Sequence, residues 1–365
     1  MIVINYGGDR AQTTLAGMTA NTLAASDIAT YLKPDFSVSI KPNLVTPQPA
    51  SNGATTHPEV VEGIILFLKD FGVKNISIIE NSAVGYSTKQ AFKVCGYEAL
   101  QERYDVPLVD LKNDHCIKLR HKDDNHGDFD IQICETALTT DFLINVPVLK
   151  AHCQTRMTCC MKNLKGCIPH GEMKRFHTLG LHKPIATLNA LLKTGYCVVD
   201  GICGDLSFEE GGTPIEANRI IAGQNPLLVD SFCAELIGYR QDDIEYLSHG
   251  RKIGVGEYYS RETKVVELNL DCKPGRQPKG NRIADRYRNL IDDDAACSVC
   301  YAALVFALHR NGGRVPHGRK ICIGQGFKGK SGDIGIGNCT RKFKAHVEGC
   351  PPKAVDISSF LMKSL

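Results

Sequence analysis

Tryptophan is absent from this 365-residue chain. Long apolar runs are missing as well: no stretch approaches the roughly 18 residues of a membrane-spanning helix, so no membrane role is expected. The first residues, MIVINYGGDR, carry neither a cationic start nor a long apolar core, which argues against a secretory leader. Charge of one sign is also scarce. With 43 Lys and Arg against 40 Asp and Glu, the formal charge is only +3, which gives no reason to expect a nucleic-acid partner. These absences predict a cytoplasmic protein. No nicotinamide or flavin site is predicted. Homo-oligomer formation is left open.

What the chain has in excess is cysteine, 16 residues of it. In a reducing compartment such a number points away from disulfides and towards metal or redox chemistry. About half, including Cys95, Cys197 and Cys233, are expected to be small buried hydrophobes and nothing more.

Strand-like and helix-like segments alternate from the start. MIVINY, Phe36 to Ile40, Asn75 to Ile79, Val106 to Leu111, Phe142 to Val148 and Tyr196 to Val199 read as strands. Between them, helices are expected over about Asn21 to Leu32, from Pro58 to a stop at Gly72, and from Thr88 to about Gly96. Further helices should run from Pro184 and from Pro226. Lys112 to Asp130 reads as a hairpin or an exposed loop. The alternation predicts an α/β fold: a doubly wound, mostly parallel sheet with helices on both faces. A small C-terminal cysteine-rich α+β module follows it. The expected divisions are an α/β domain over 1–254, a polar linker or insertion over 255–294, and the cysteine module over 295–365.

In such sheets ligands sit beyond the carboxyl ends of the strands. Those ends carry Lys41 and Asn43, Glu80 and Asn81, Asp110, Lys150 and His152, and Asp200. The densest stretch is 141–171, DFLINVPVLKAHCQTRMTCCMKNLKGCIPHG. An apolar run there empties into Lys150, His152, Arg156, Lys162, Asn163, Lys165 and His170, interleaved with four cysteines. Burying so many polar groups without partners is costly. The stretch therefore reads as the wall of a site for a small anionic substrate.

Near the end, Cys297 and Cys300 stand at C-x-x-C spacing where a helix is expected to begin. Cys339 follows after 38 intervening residues, and Cys350, before two prolines, after ten more. A helix N-terminus favours thiolates, and a Cys-Pro step suits an iron–sulfur site. The set predicts a [4Fe-4S] cluster, with structural zinc or no metal as rivals. Gly324 to Ser331 matches a phosphate-binding loop, but that motif must open a helix, and Gly332-Asp333-Ile334-Gly335-Ile336-Gly337 is a poor start to one.

Lys41-Pro42-Asn43-Leu44-Val45, Thr56-His57-Pro58-Glu59, Asn145-Val146-Pro147 with Leu149-Lys150-Ala151-His152, Lys162-Asn163-Leu164-Lys165-Gly166-Cys167 and Val199-Asp200-Gly201 occur in that order. Together they resemble the signature blocks of the domain-of-unknown-function 362 family, over roughly residues 35–250. The tail resembles the cysteine-rich ends of a subset of that family. The resemblance implies an iron–sulfur context and ferredoxin-like modules as company, without a settled reaction. Cys153, Cys159 and Cys160 depart from the pattern and, with Cys167, leave a second cluster open.

These residues predict an iron–sulfur oxidoreductase of an anaerobic cytoplasm, fed by a ferredoxin-like electron donor. Its catalytic groups would be His57, Lys150, His152 and Asn163, with Lys41, Asn43, Lys162, Lys165 and Asp200 binding the substrate. Four of these have a plainer reading: Lys41 and Lys150 as ion pairs with Glu80 or Asp200, His57 as a helix cap, Asn163 as a turn residue. The alternatives for the whole are a non-catalytic electron-transfer or cluster-delivery protein, and a non-redox lyase or transferase with a structural metal.

Overall fold

A computed structural model describes every residue except 8–13, 123–127, 209–210, 274–278, 280–282, 316–319 and 364–365. Its strands, in chain order, are β1 (Ile2–Tyr6), β2 (Ser37–Pro42), β3 (Asn75–Glu80), β4 (Leu108–Asp110), β5 (Cys116–His121), β6 (Phe129–Cys134), β7 (Phe142–Val146), β8 (Lys150–His152), β9 (Arg156–Thr158), β10 (Tyr196–Asp205), β11 (Pro214–Gly223), β12 (Val265–Leu268), β13 (Ile291–Asp293), β14 (Ile321–Ile323), β15 (Ile334–Ile336) and β16 (Ala345–Val347). Eight of them form one sheet in the order β12-β1-β11-β10-β7-β2-β3-β4. Every pairing in that sheet is parallel except those of β11 with β1 and β10.

Alternation along the strands builds two cores. Val38, Ile40, Ile78, Ile144, Val198 and Ile220 face one side, with the helices Leu15–Ala24 and Pro58–Phe71. Ile4, Ile79, Leu143, Cys197, Val199 and Ile221 face the other, with helices Glu245–Lys252, His182–Leu191 and Pro226–Leu236. Successive residues of a strand point to opposite faces, so a sheet covered on both sides shows near-continuous apolar strands. The architecture is therefore α/β and doubly wound.

Helix Pro58–Phe71 shows how the sequence sets an element. Pro58 occupies the first turn, Glu59 favours that end, and Gly72 closes the helix at φ +100°. Val60, Val61, Ile64, Ile65 and Leu68 form a buried stripe, each side chain contributing about 1.5–3 kcal/mol. Gly63 lets the helix approach Ala16 and Thr19 of helix Leu15–Ala24, where any side chain would collide with the backbone.

The N-terminal helix lies earlier than its expected place at 21–32. Thr14 accepts a hydrogen bond from the Gly17 N–H and starts it, and the Ser26 hydroxyl bonds the Leu23 carbonyl at its end. The polar excursion at 112–130 contributes to an antiparallel hairpin, β5 with β6, whose tip lies outside the described residues. Part of the expected linker joins the main sheet: β12 pairs in parallel with β1. Another part, β13, joins a second sheet, β13-β14-β15-β16, whose strands are all parallel. That sheet and helix Ser298–Arg310 enclose a third core, with Leu304, Leu308, Ile321 and Ile323. The phosphate-loop lookalike leads into a short turn and then β15, with no helix after it. Gly324, Gly326 and Gly329 also satisfy the G-x-G-x-x-G spacing of dinucleotide sites, and that match fails here for the same reason.

Candidate functional site

The ends of β2, β3 and β7 deliver Lys41, Glu80 and Asn145 to one edge of the sheet. After β9, the chain turns through the short helix Cys160–Asn163 and the turn Leu164–Cys167, which lays Asn163 across those strand ends. Asn163 donates from Nδ2 to Asn145 Oδ1 at 2.8 Å and to the carbonyls of Lys41 and Pro42 at 3.2 and 3.3 Å. Its Oδ1 accepts from Asn43 Nδ2 at 2.9 Å. Asn145 Nδ2 in turn donates to the Cys160 carbonyl at 2.8 Å. Each such buried bond contributes about 1 kcal/mol, and losing one partner costs about 1–3 kcal/mol.

Lys41 takes the plainer of its two sequence readings. Its ammonium lies 2.6 Å from Glu80 Oε1, and the two side chains are 1% and 3% exposed. Glu80 also accepts from the N–H groups of Leu44 and Asn81 at 2.7 and 2.8 Å. Gly166 passes over this pair, and a Cβ there would overlap both Glu80 Oε1 and the end of Lys41. Cys167 follows, its thiol pushed up to about 12 by burial.

A cavity of about 130 Å³ opens beside the pair. One wall is Lys41, Asn43, Glu80, Asn81, Lys162, Asn163, Lys165 and Gly166. Helix His170–Thr178 adds Lys174 and His177, and the C-terminal module adds Cys297, Cys300 and Cys350. Glu80 is the one carboxylate in the lining among the described residues, and Lys41 already neutralises it. Lys162, Lys165 and Lys174 thus give the cavity a positive bias. His177 meets Lys165 Nζ through Nε2 at 3.3 Å. Burial, then the charges of Lys165, His152 and Lys162, hold the His177 imidazole well below its ordinary range, so it is neutral and accepts. Sequence reasoning missed His177 and Lys174; a surface-like helix gives no local sign that it closes a cavity.

The predicted set separates in space. Asn163, Lys41, Asn43, Lys162 and Lys165 line the cavity; the lining does not include His57, Lys150, His152 or Asp200. Because β8 pairs back on β9 instead of extending the main sheet, Lys150 is turned inward, to the Ala54 carbonyl at 2.5 Å and Asn43 Oδ1 at 3.3 Å. His57 caps helix Pro58–Phe71, and its backbone N–H and Nδ1 both meet Asp200 Oδ2 at 2.8 Å. Asp200 lies within β10, which runs on to Asp205 rather than ending there. His152 Nδ1 accepts from the N–H groups of Gln154 and Thr155 at 3.1 Å each.

Among the tail cysteines, Cys297 caps helix Ser298–Arg310 and Cys300 lies one turn in. Burial raises the Cys297 thiol, and so do Cys339 and Cys350, while Lys165 and Lys174 act in the opposite sense. Cys339 is likewise raised by burial and by Cys350, with Lys328 and Lys174 opposing. Among the described residues, the only groups of three metal-ligating atoms within 4.8 Å of one another involve Cys159, Cys160 and Asp230, not the tail. Four thiolates on one zinc ion, at Zn–S of about 2.3 Å, would stand about 3.8 Å apart. A cubane puts each thiolate on a different iron and so does not call for that close spacing; cysteine thiols, three of which line one cavity, are the donor type it takes. The four residues for which a second cluster was left open do not gather: Cys153 belongs to the third core, Cys167 lies by Lys41, and only Cys159 and Cys160 adjoin.

Three comparisons bear on these residues. A model of the family described as "Domain of unknown function (DUF362)" matches residues 38–235. The thylakoid-associated protein sll1697 of Synechocystis sp. is 25% identical over an alignment of 236 residues that covers 62% of this chain and 70% of that protein. The lactate racemase apoprotein of Thermoanaerobacterium thermosaccharolyticum overlays 64% of this chain and 57% of its own, at 13% identity and a TM-score of 0.42. The chain thus spans little more than half of that solved structure, and so weak a likeness carries no argument about reaction. No helix among the described residues is long and apolar enough to cross a membrane.

Proposed function

The chain belongs to the domain-of-unknown-function 362 family, which prescribes no reaction, and from its cavity we propose that it is an iron–sulfur oxidoreductase acting on a small anionic substrate. One observation carries the reading: lysines from the middle of the chain and cysteines from its end line the same cavity. Cys297, Cys300, Cys339 and Cys350 would hold a [4Fe-4S] cluster, whose chemistry is one-electron transfer. Lys162, Lys165 and Lys174 would hold the substrate's anionic group and also offset the charge of the thiolates. Asn163 positions Lys162 and Lys165 by tying their segment to the strand ends. The lining of the cavity by Lys41 with Glu80 supplies a neutral, fixed wall. A ferredoxin-like protein would donate electrons from the module side. Sixteen thiols, none in a disulfide among the described residues, support a reducing, cytoplasmic setting.

The test begins with protein purified without oxygen. Iron and acid-labile sulfide should be present, and the brown colour should bleach with dithionite. Oxidation of a reduced viologen dye is then followed against a panel of small carboxylates and phosphates. Turnover should fall at least tenfold in Lys162→Ala and Lys165→Ala while the cluster spectrum stays. A colourless protein would overturn the cluster. A brown protein inert towards the whole panel would leave an electron carrier, and a metal-free protein that still converts a substrate would leave a lyase or transferase.

A further inference from the structure

A second set of sulfurs lies in the core under the main sheet. Cys159 and Cys160 precede and open the helix Cys160–Asn163. Asp230 and Cys233 lie one turn apart on helix Pro226–Leu236, and Cys197 is on β10. All five are 0% exposed. Neighbouring side chains of an extended strand point apart. Here Cys159 is extended, at φ −154° and ψ −147°, and the helix begins with the next residue, so both sulfurs turn to one side.

Three of these groups, Cys159, Cys160 and Asp230, have the spacing of a mononuclear site, and Cys233 stands beside Cys159 as the fourth. Cys159 Sγ and Cys160 Sγ are 3.9 Å apart. Those two sulfurs and an Asp230 oxygen all lie within 4.8 Å of one another. Cys233 is in hydrogen-bond contact with the Cys159 sulfur, and Cys197 with the Cys160 sulfur. A tetrahedral zinc ion with Zn–S of about 2.3 Å holds its sulfurs about 3.8 Å apart. Asp230 is already aimed: Oδ1 accepts from the Cys160 N–H at 2.7 Å and Oδ2 from the Met161 N–H at 3.0 Å. Each carboxylate oxygen keeps a second lone pair.

We propose that Cys159, Cys160, Asp230 and Cys233 bind one thiophilic divalent cation, zinc by geometry, as a buried structural centre. Cys197 supports it by hydrogen-bonding to Cys160, and buried Arg219 offsets negative charge from the side of Cys233. None of these residues lines the cavity, so the centre stands or falls independently of the tail cluster. It would clamp the segment that carries Lys162, Asn163 and Lys165 to helix Pro226–Leu236. The ion would enter during folding, since the ligands are sealed from solvent.

The test uses the full-length chain with all four tail cysteines changed to serine, grown with added zinc and checked for fold by circular dichroism. About one zinc per chain is expected, with an absorption-edge spectrum showing sulfur at about 2.3 Å and one oxygen. Adding Cys159→Ser and Cys233→Ala should lower the zinc content at least tenfold. A folded tail variant without zinc, or zinc lacking sulfur neighbours, overturns the proposal, as does zinc retained unchanged in the added variants. Should either variant fail to fold, zinc counted apart from iron in the wild-type chain, with its own edge spectrum, decides the matter by the same two criteria.

Discussion

Replacing Glu80 by Gln isolates the pair at the floor of the cavity. Lys41 Nζ lies 2.6 Å from Glu80 Oε1, both side chains are nearly sealed from water, and the ammonium's other partner is the Pro42 carbonyl at 2.6 Å. In Glu80→Gln the ammonium loses its counter-charge while staying buried. Breaking one side of such a pair costs about 3–5 kcal/mol, because the remaining charge is uncompensated. Glutamine also has a single oxygen where Glu80 accepts two backbone N–H bonds, from Leu44 and Asn81. At about 1.3 °C per kcal/mol for a chain of this size, the thermal midpoint should drop by about 4–7 °C. Lys41→Met should cost a similar amount by leaving a buried carboxylate. The double variant Lys41→Met with Glu80→Gln should be much less damaged than the sum of the two, since no charge is stranded. Unmasking Lys41 should also make Glu80→Gln recover more of its midpoint on adding phosphate than the wild type does. Scanning calorimetry of the four proteins, with and without phosphate, reads all of this. If Glu80→Gln stays within about 1 kcal/mol of wild type, as an exposed pair would, the reasoning about the sealed pair is refuted.

Other perturbations separate support from chemistry. Gly166→Ala should strain the same pair, because its Cβ would overlap Glu80 and Lys41; a midpoint unchanged from wild type would show the turn can move aside. Asn163→Ala leaves Asn43 and Asn145 with unmet amide groups and should cost about 2–5 kcal/mol in urea unfolding, whereas Lys162→Ala, half-buried, should cost under about 1 kcal/mol. His182 is held below its ordinary range by burial, with Glu245 opposing at 3.0 Å. Its unfolded form therefore binds a proton first: stability is full above about pH 6.5 and falls as pH drops from there towards the folded pKa, by up to about 1.4 kcal/mol per unit. His182→Gln should flatten that limb of a stability-against-pH curve, and an unchanged slope would count against it.

Much of the fold could be read locally. Pro58, the stripe at Val60, Val61, Ile64, Ile65 and Leu68, and Gly72 state a helix without help from distant residues. The helix Leu15–Ala24 was harder, since its start depends on one hydroxyl, Thr14, rather than on a strong apolar period. β12 was not legible at all: four residues in a polar stretch become a strand only because β1 offers an edge. Within the site, the residue types at 41, 43, 162, 163 and 165 were evident, and Glu80 was among the partners offered for Lys41, but the partners of Asn43 and Asn163 were not.

By itself, then, the sequence determined the alternation of the main strands and helices, the number of thiols, the two tail cysteines at C-x-x-C spacing and the family blocks, because period, spacing and residue chemistry are properties of neighbours along the chain. Only the tertiary structure decided which groups meet. It gathered Cys297, Cys300 and Cys350 with Lys162 and Lys165 around one cavity, joined Cys233 to Cys159, neutralised Lys41 with Glu80, and left His57, Lys150 and His152 out of the lining. Those pairings follow from how strands cross over and helices pack, and contacts between residues a hundred positions apart leave no mark in the sequence around either one.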